Sequence, residues 1–151
     1  AVGLIAGLAH SIDLLETEGL DNVYARHHRL AEGVRRAVFA WGMAPYAASA
    51  DLYSDTVTAV RVPEGCNGTD LVQLAASKYG MAFGVGLGEV AGKVFRIGHL
   101  GMLTEAMVLS GLCVAEMCMA DLGWPVKLGS GVAAAQDYYR GTVPAMALAA
   151  E

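Results

Sequence analysis

The stretch Gly86-Leu87-Gly88-Glu89-Val90-Ala91-Gly92-Lys93-Val94-Phe95-Arg96-Ile97-Gly98-His99-Leu100-Gly101 decides how this chain is read. Its first six residues match G-x-G-x-x-[GA], the spacing of a dinucleotide-binding turn. Such a turn needs a helix to open at its last glycine, so that backbone N–H groups face a pyrophosphate. Here Gly92 and then a short apolar run follow instead. The stretch is therefore a hairpin-like loop feeding a strand, and a doubly wound nucleotide-binding sheet is rejected. Val94, Phe95 and Ile97 place that strand in the interior. Arg96 stands in its middle. A guanidinium keeps its charge at any working pH and rarely enters apolar surroundings without a partner. Its planar fork matches a carboxylate or phosphate through two parallel hydrogen bonds, and neighbouring glycines let a small ligand approach the backbone. From the residues alone, Arg96 is either the anchor of a small anion or half of a structural ion pair.

Working outward, Met81 to Val85 forms the strand before the glycine loop. Thr56 to Val62 alternates with β-branched residues and ends at Pro63. Val2 to Glu18 reads as a helix with Leu4, Ile5, Leu8, Ile12 and Leu15 on one face, closed by Gly19. Asp21 is the expected N-cap of a second helix reaching Trp41. There Val23, Leu30, Val34, Ala37 and Val38 line one side, and Arg26, Arg29, Glu32, Arg35 and Arg36 the other. Thr69 or Asp70 caps a helix to Tyr79. Thr104 caps a helix to Leu122 that is apolar nearly all round, with Met107 and Met119 expected to face outward. A last short helix covers Val132 to Tyr139. This order predicts an α/β chain of the α+β kind: about three strands, mainly antiparallel, covered on one face by helices.

Of the 151 residues, 55% are hydrophobic and 17% charged, and the mean hydropathy is +0.44. The longest apolar-plus-glycine run, Ala1 to Ala9, is too short to span a bilayer, so a membrane protein is not expected. The excess apolar surface is expected to pack against the rest of a longer chain or a second subunit. The chain opens at Ala1 already inside a helical pattern, as a piece of a longer protein would. A net charge of −5, with no basic patch interleaved with aromatics, disfavours nucleic acid as a partner. Three cysteines without a CxxC pair point to a reducing, cytoplasmic compartment.

Other candidate groups are weak. His27 and His28 are adjacent on a helix, diverge by about 100°, and are expected on its solvent side. His10 and His99 have no metal-ligand partner at a suitable spacing, so no metal site is expected, although His99 follows Arg96 by three residues and stays a candidate. Gly129-Ser130-Gly131 follows Leu128 and is not a nucleophile elbow. Cys66 lies in a turn, while Cys113 and Cys118 are expected in the core. Lys78, Lys93 and Lys127 occupy no obvious buried site that would suit Schiff-base chemistry.

Lys93-Val94-Phe95-Arg96-Ile97-Gly98-His99-Leu100-Gly101 resembles the class V, fold-type I pyridoxal-phosphate aminotransferases, in the alanine/serine–glyoxylate group. The resemblance extends to Glu18-Gly19-Leu20-Asp21-Asn22-Val23-Tyr24-Ala25-Arg26-His27, to Val62-Pro63-Glu64-Gly65, and to Leu128-Gly129-Ser130-Gly131-Val132-Ala133-Ala134-Ala135. Met81 to Gly101 looks most like the bacterial aspartate–glyoxylate branch. The resemblance implies that Arg96 binds the substrate α-carboxylate; His99, by its place three residues on, is the candidate for a second substrate contact. It implies no catalytic or cofactor-binding residue in this segment, because the Schiff-base lysine and most contacts to pyridoxal 5'-phosphate lie upstream of Ala1. It further implies that residues 1–42 are connecting helices leading out of a missing N-terminal large domain, that residues 43–151 form the C-terminal small domain, and that the enzyme is a homodimer. The implied reaction moves an amino group from an amino acid to glyoxylate, with aspartate favoured as donor and serine or alanine as alternatives. The competing functions are a related class V enzyme such as a cysteine desulfurase, for which Cys66 is the sole loop cysteine, and a non-catalytic ligand-binding domain.

Overall fold

The computed structural model describes residues 1–142. Two helices open the chain, α1 (Val2–Glu18) and α2 (Leu20–Ala40), followed by strands β1 (Ala44–Pro45) and β2 (Val57–Arg61). Then come α3 (Gly68–Tyr79), β3 (Gly84–Val85), β4 (Val94–Gly98), α4 (Glu105–Asp121) and α5 (Ser130–Gly141). The sheet is antiparallel throughout, in the order β1-β2-β4-β3. It therefore has four strands where the sequence predicts about three. β1 is two residues long and includes a proline, so it carries no periodicity to read. The strand expected over Met81 to Val85 shrinks to Gly84 and Val85.

Alternation sorts the sheet into two faces. Thr58, Val60, Phe95 and Ile97 turn inward and are buried. They meet a core built from Leu30, Val34 and Val38 of α2, Leu112 and Met119 of α4, and Tyr139 of α5, among others. Ala59, Arg61, Arg96 and Gly98 belong to the other face and are half-buried or exposed. α2 thus shares one core with everything from Met43 to Tyr139. α1 contributes no buried residue, and Val2, Leu4, Ile5 and Leu8 are exposed. Among the described residues no helix is long and apolar enough to cross a membrane.

α5 is gripped at both ends by charges from other helices. The Glu116 carboxylate, buried in the middle of α4, accepts hydrogen bonds from the Trp41 indole N–H (2.8 Å) and from the backbone N–H groups of Gly129 (2.6 Å), Gly131 (2.7 Å) and Val132 (3.2 Å). A carboxylate there satisfies first-turn donors that would otherwise be orphaned and meets the positive end of the helix dipole. At the far end, Arg29 of α2 donates to the Tyr139 carbonyl (2.7 Å) and to Thr142, and pairs with Glu105 at 3.0 Å. α2 and α5 then touch closely: a Cβ on Gly33 would enter the Tyr139 ring, and one on Gly131 the Trp41 indole.

Several side chains sit elsewhere than the sequence suggests. Arg29 and Arg35, expected on the solvent side of α2, are buried, as is His27. Each has polar partners inside: Arg35 pairs with Glu32 (2.9 Å) and Asp55 (3.2 Å), and His27 contacts the Val23 carbonyl through Nδ1 (2.7 Å). Met119 faces the core and only Met107 is exposed. Cys113 is exposed while Cys118 is buried. Asn67, not Thr69 or Asp70, caps α3, and Gly19 rather than Asp21 stands at the N-cap of α2. Thr104 caps α4 as expected, accepting from the Met107 N–H.

His99, wholly buried after β4, ties three segments together. Its Nδ1 lies 3.0 Å from the Asp55 carbonyl and its Nε2 lies 2.9 Å from the Thr58 hydroxyl. A carbonyl can only accept, so Nδ1 carries the proton and the Thr58 hydroxyl donates to Nε2. Burial pushes the imidazole down to about 4 from its ordinary 6.5, although the Asp55 carbonyl opposes the shift.

Two outcomes follow. Glu116→Leu should cost about 3–5 kcal/mol and Glu116→Gln about 1–3 kcal/mol, because buried N–H donors lose a charged acceptor. Urea denaturation measures this, and a loss below about 0.5 kcal/mol in the leucine variant would show that the carboxylate does not hold α5. For His99, the folded state keeps the ring neutral where the unfolded chain takes up a proton. Its contribution is intact above pH 6.5, falls as pH drops towards about 4, and falls no further below that. The total is about 3 kcal/mol. His99→Gln should flatten the urea midpoint against pH over this window, and an unchanged slope would disconnect His99 from acid sensitivity.

Candidate functional site

Arg96 lies at the centre of β4, on the sheet face that the helices leave open. Its cross-strand neighbours are Ala59 on β2 and Gly84 on β3, the two smallest side chains available. Directly opposed residues share a face, so nothing large stands beside the arginine stem. Nε donates to the Val85 carbonyl at 3.0 Å, which turns the guanidinium over β3. Among the described residues Arg96 has no ion pair and no other hydrogen bond, so its two terminal nitrogens remain as a free fork. The structural ion pair left open by the sequence is not formed. The same sequence contains the contrast: Arg29 and Arg35 are saturated by carboxylates and carbonyls, whereas Arg96 spends only Nε on the protein.

The turn after β4 is held from α2. The Gly101 carbonyl accepts from Arg26 at 2.7 Å, and its N–H donates to His27 Nε2 at 3.0 Å. Arg26 is in turn fixed by both oxygens of Glu18, at 2.6 and 2.8 Å. Sequence reasoning placed these α2 groups in solvent. In the sequence these groups fall within the Glu18 to His27 stretch, whose contacts with Gly101 carry no local pattern.

His99, by contrast, does not join Arg96. It is in phase with Phe95 and Ile97, on the helix side of the sheet, and both its nitrogens are occupied. The structure therefore separates the two residues that sequence proximity put together. Cys66 is half-buried in its turn, and burial pushes its thiol up, away from the thiolate a nucleophile requires. Lys78 is exposed and pairs with Asp121 at 2.8 Å, and Lys93 and Lys127 are exposed. None occupies a desolvated site. Among the described residues no group of three His, Cys, Asp or Glu is placed to hold a metal ion.

What this arrangement can do is bind a planar anion of small size. The free fork offers two parallel N–H donors, and the small residues beside it admit a ligand to the strand. An apolar groove of ≈ 510 Å³ opens at the end of β4, where Phe83, Ile97, Leu103 and Met107 line it.

No family model matches the chain. Among curated proteins, it is 62% identical over 144 residues to the L-aspartate–glyoxylate aminotransferase of Paracoccus denitrificans, covering 95% of this chain and 36% of that protein. It is 54% identical over 139 residues to the serine–glyoxylate aminotransferase of Hyphomicrobium methylovorum, covering 92% and 34%. Among solved structures, the pyridoxamine–pyruvate aminotransferase of Mesorhizobium loti superposes with a TM-score of 0.84 at 36% identity, over 89% of this chain and 35% of that one. The chain spans about a third of the length of the curated relatives it matches. Sequence and fold together match this chain to the C-terminal domain of the fold-type I aminotransferases, alongside the aspartate–glyoxylate and serine–glyoxylate enzymes.

Proposed function

We propose that this chain is the carboxylate-anchoring domain of a pyridoxal-phosphate-dependent aminotransferase that passes an amino group from an amino acid to glyoxylate. The observation that carries the reading is the uncommitted fork of Arg96, set between Gly84 and Ala59. Donor and acceptor differ in many respects but share a carboxylate next to the reacting carbon. One anchor therefore serves both halves of the exchange, and holding that carboxylate at two points fixes the direction of the bond to be broken.

The residues of this chain do not suit the cofactor itself. Its lysines are exposed, and none lies in a buried pocket that would suit attachment to an aldehyde. On this reading the cofactor, which supplies an electron sink for loss of the Cα proton, is held mainly by the large domain of the full-length protein. The role left to the described residues is to bind and orient. The exposed leucines of α1 support burial of that helix against the large domain or a second subunit, consistent with a homodimeric enzyme.

Aspartate is the proposed donor. Its second carboxylate needs a cation of its own once water is excluded. His99 cannot serve, since it is buried on the helix side and held neutral. Arg61 shares Arg96's face, two residues along β2 from Ala59, and stacks on the Tyr46 ring at 4.7 Å. It is a described cation that could meet this need.

In the full-length enzyme, Arg96→Lys should lose about 2–4 kcal/mol of transition-state binding with every donor, because one ammonium cannot reproduce two parallel contacts. Steady-state kcat/KM measures it alongside a melting curve, and near-parental values with all donors would make Arg96 structural. At equal glyoxylate, kcat/KM for aspartate should exceed that for serine or alanine. The reverse order would remove aspartate and leave the broader glyoxylate reading.

A further inference from the structure

Gly84 has no side chain, and the space that a side chain would fill is occupied by Arg96. A Cβ built on Gly84 would lie 3.0 Å from Arg96 Nε, 3.1 Å from its Cβ and 3.3 Å from Cζ. These are all shorter than ordinary van der Waals contact. The backbone at Gly84 is extended, not left-handed, since it is not among the glycines of positive φ. Conformational freedom is thus no reason for glycine at this position. The reason left is room, and the group that needs the room is the guanidinium.

The hydrogen bond beside it makes the placement specific. Nε reaches the Val85 carbonyl at 3.0 Å only by lying across β3 at Gly84, the residue paired with Arg96 in the strand register. Nε is the one nitrogen of the fork that a two-point contact through the terminal nitrogens does not use. Spending it on the Val85 carbonyl fixes the rotation of the fork plane and leaves both remaining nitrogens without a partner among the described residues. We infer that Gly84 is a positioning residue for the carboxylate anchor: its missing side chain sets where, and in which plane, Arg96 presents its fork. This rests on the reading of Arg96 as that anchor. It also assigns a purpose to the shortness of β3. A two-residue edge strand can place one carbonyl under Nε without raising a wall beside the ligand.

The test is a double-substitution cycle in the full-length holoenzyme with Gly84→Ala, Arg96→Ala and the pair. Succinate serves as a carboxylate probe that cannot react, its dissociation constant read by calorimetry, alongside KM and kcat for the amino donor and glyoxylate. A fork displaced by even part of an ångström loses alignment, so Gly84→Ala should weaken succinate and raise both KM values roughly tenfold, with kcat changed about twofold or less. In the Arg96→Ala background the same substitution should change succinate binding and kcat/KM by less than about twofold, because the group it displaces is gone.

An equal penalty in both backgrounds would mean that Gly84 matters for strand packing alone and would overturn the inference, as would parental binding in Gly84→Ala. If Arg96→Ala itself leaves succinate binding and kcat/KM at parental values, the anchor reading fails, and the positioning role with it. Should Gly84→Ala be insoluble alone, solubility recovered in the double variant would locate the conflict at the arginine side chain. Insolubility of both would place it in the backbone and overturn the proposal.

Discussion

The buried carboxylate of Glu116 is the constraint on which the arrangement of this domain depends. A carboxylate deep in an apolar helix is costly unless its oxygens are filled, and here four N–H donors fill them. Three of those donors are the N-cap Gly129 and two residues of the first turn of α5, so the anion and the helix start stabilise each other. The guanidinium of Arg29 does the same at the other end with the opposite sign. α5 is thereby fixed against α2 and α4 together. α2 in turn carries Arg35, which grips Asp55, and the Asp55 carbonyl meets His99 at the end of β4. A line of polar contacts thus runs from the helix layer to the strand that presents Arg96.

How much of this was legible in the sequence depends on what the burial of each residue rests on. Elements whose packing is apolar read well. The helix at Leu20 and the strand around Val57 show their periodicity on the surface of the sequence, and the helix at Glu105 and the strand around Val94 show as apolar runs. The Thr104 cap was visible because capping is local. Arg29, Arg35, His27 and Glu116 were not, since amphipathic patterning assigns a charged residue to solvent unless a partner is known. Decisive partners lie far away in sequence: Arg29 meets Tyr139 and Thr142, and Glu116 meets Trp41. Glu116 read only as an interruption of an apolar helix. β1 escaped for another reason, being two residues that gain their form solely by pairing with Val60 and Arg61.

The site itself was half legible. An arginine inside an apolar strand among glycines stands out in any sequence, and the fork is found free. Which neighbours share its face was not readable, because a loop of uncertain length separates β3 from β4 and a shift of one residue would exchange the faces. The register puts Gly84 rather than Phe83 opposite Arg96, and the same alternation carries His99 away to the interior. Three residues along a strand sounds close, but an odd separation means opposite sides of the sheet.

The close approach of α2 to α5 has a consequence for how such a domain can change over generations. At Gly33 and Tyr139, and again at Gly131 and Trp41, one position is empty because an aromatic ring fills its volume. Neither glycine can acquire even a methyl group while its partner remains aromatic. A lineage that altered this interface would have to shrink the ring first, accept a cavity as an intermediate, and only then enlarge the glycine. The Tyr139 hydroxyl also donates to the Leu30 carbonyl at 2.9 Å, so that first step forfeits a buried hydrogen bond as well as a packed ring. Mutational routes through these pairs are therefore steeply uphill in one direction and closed in the other.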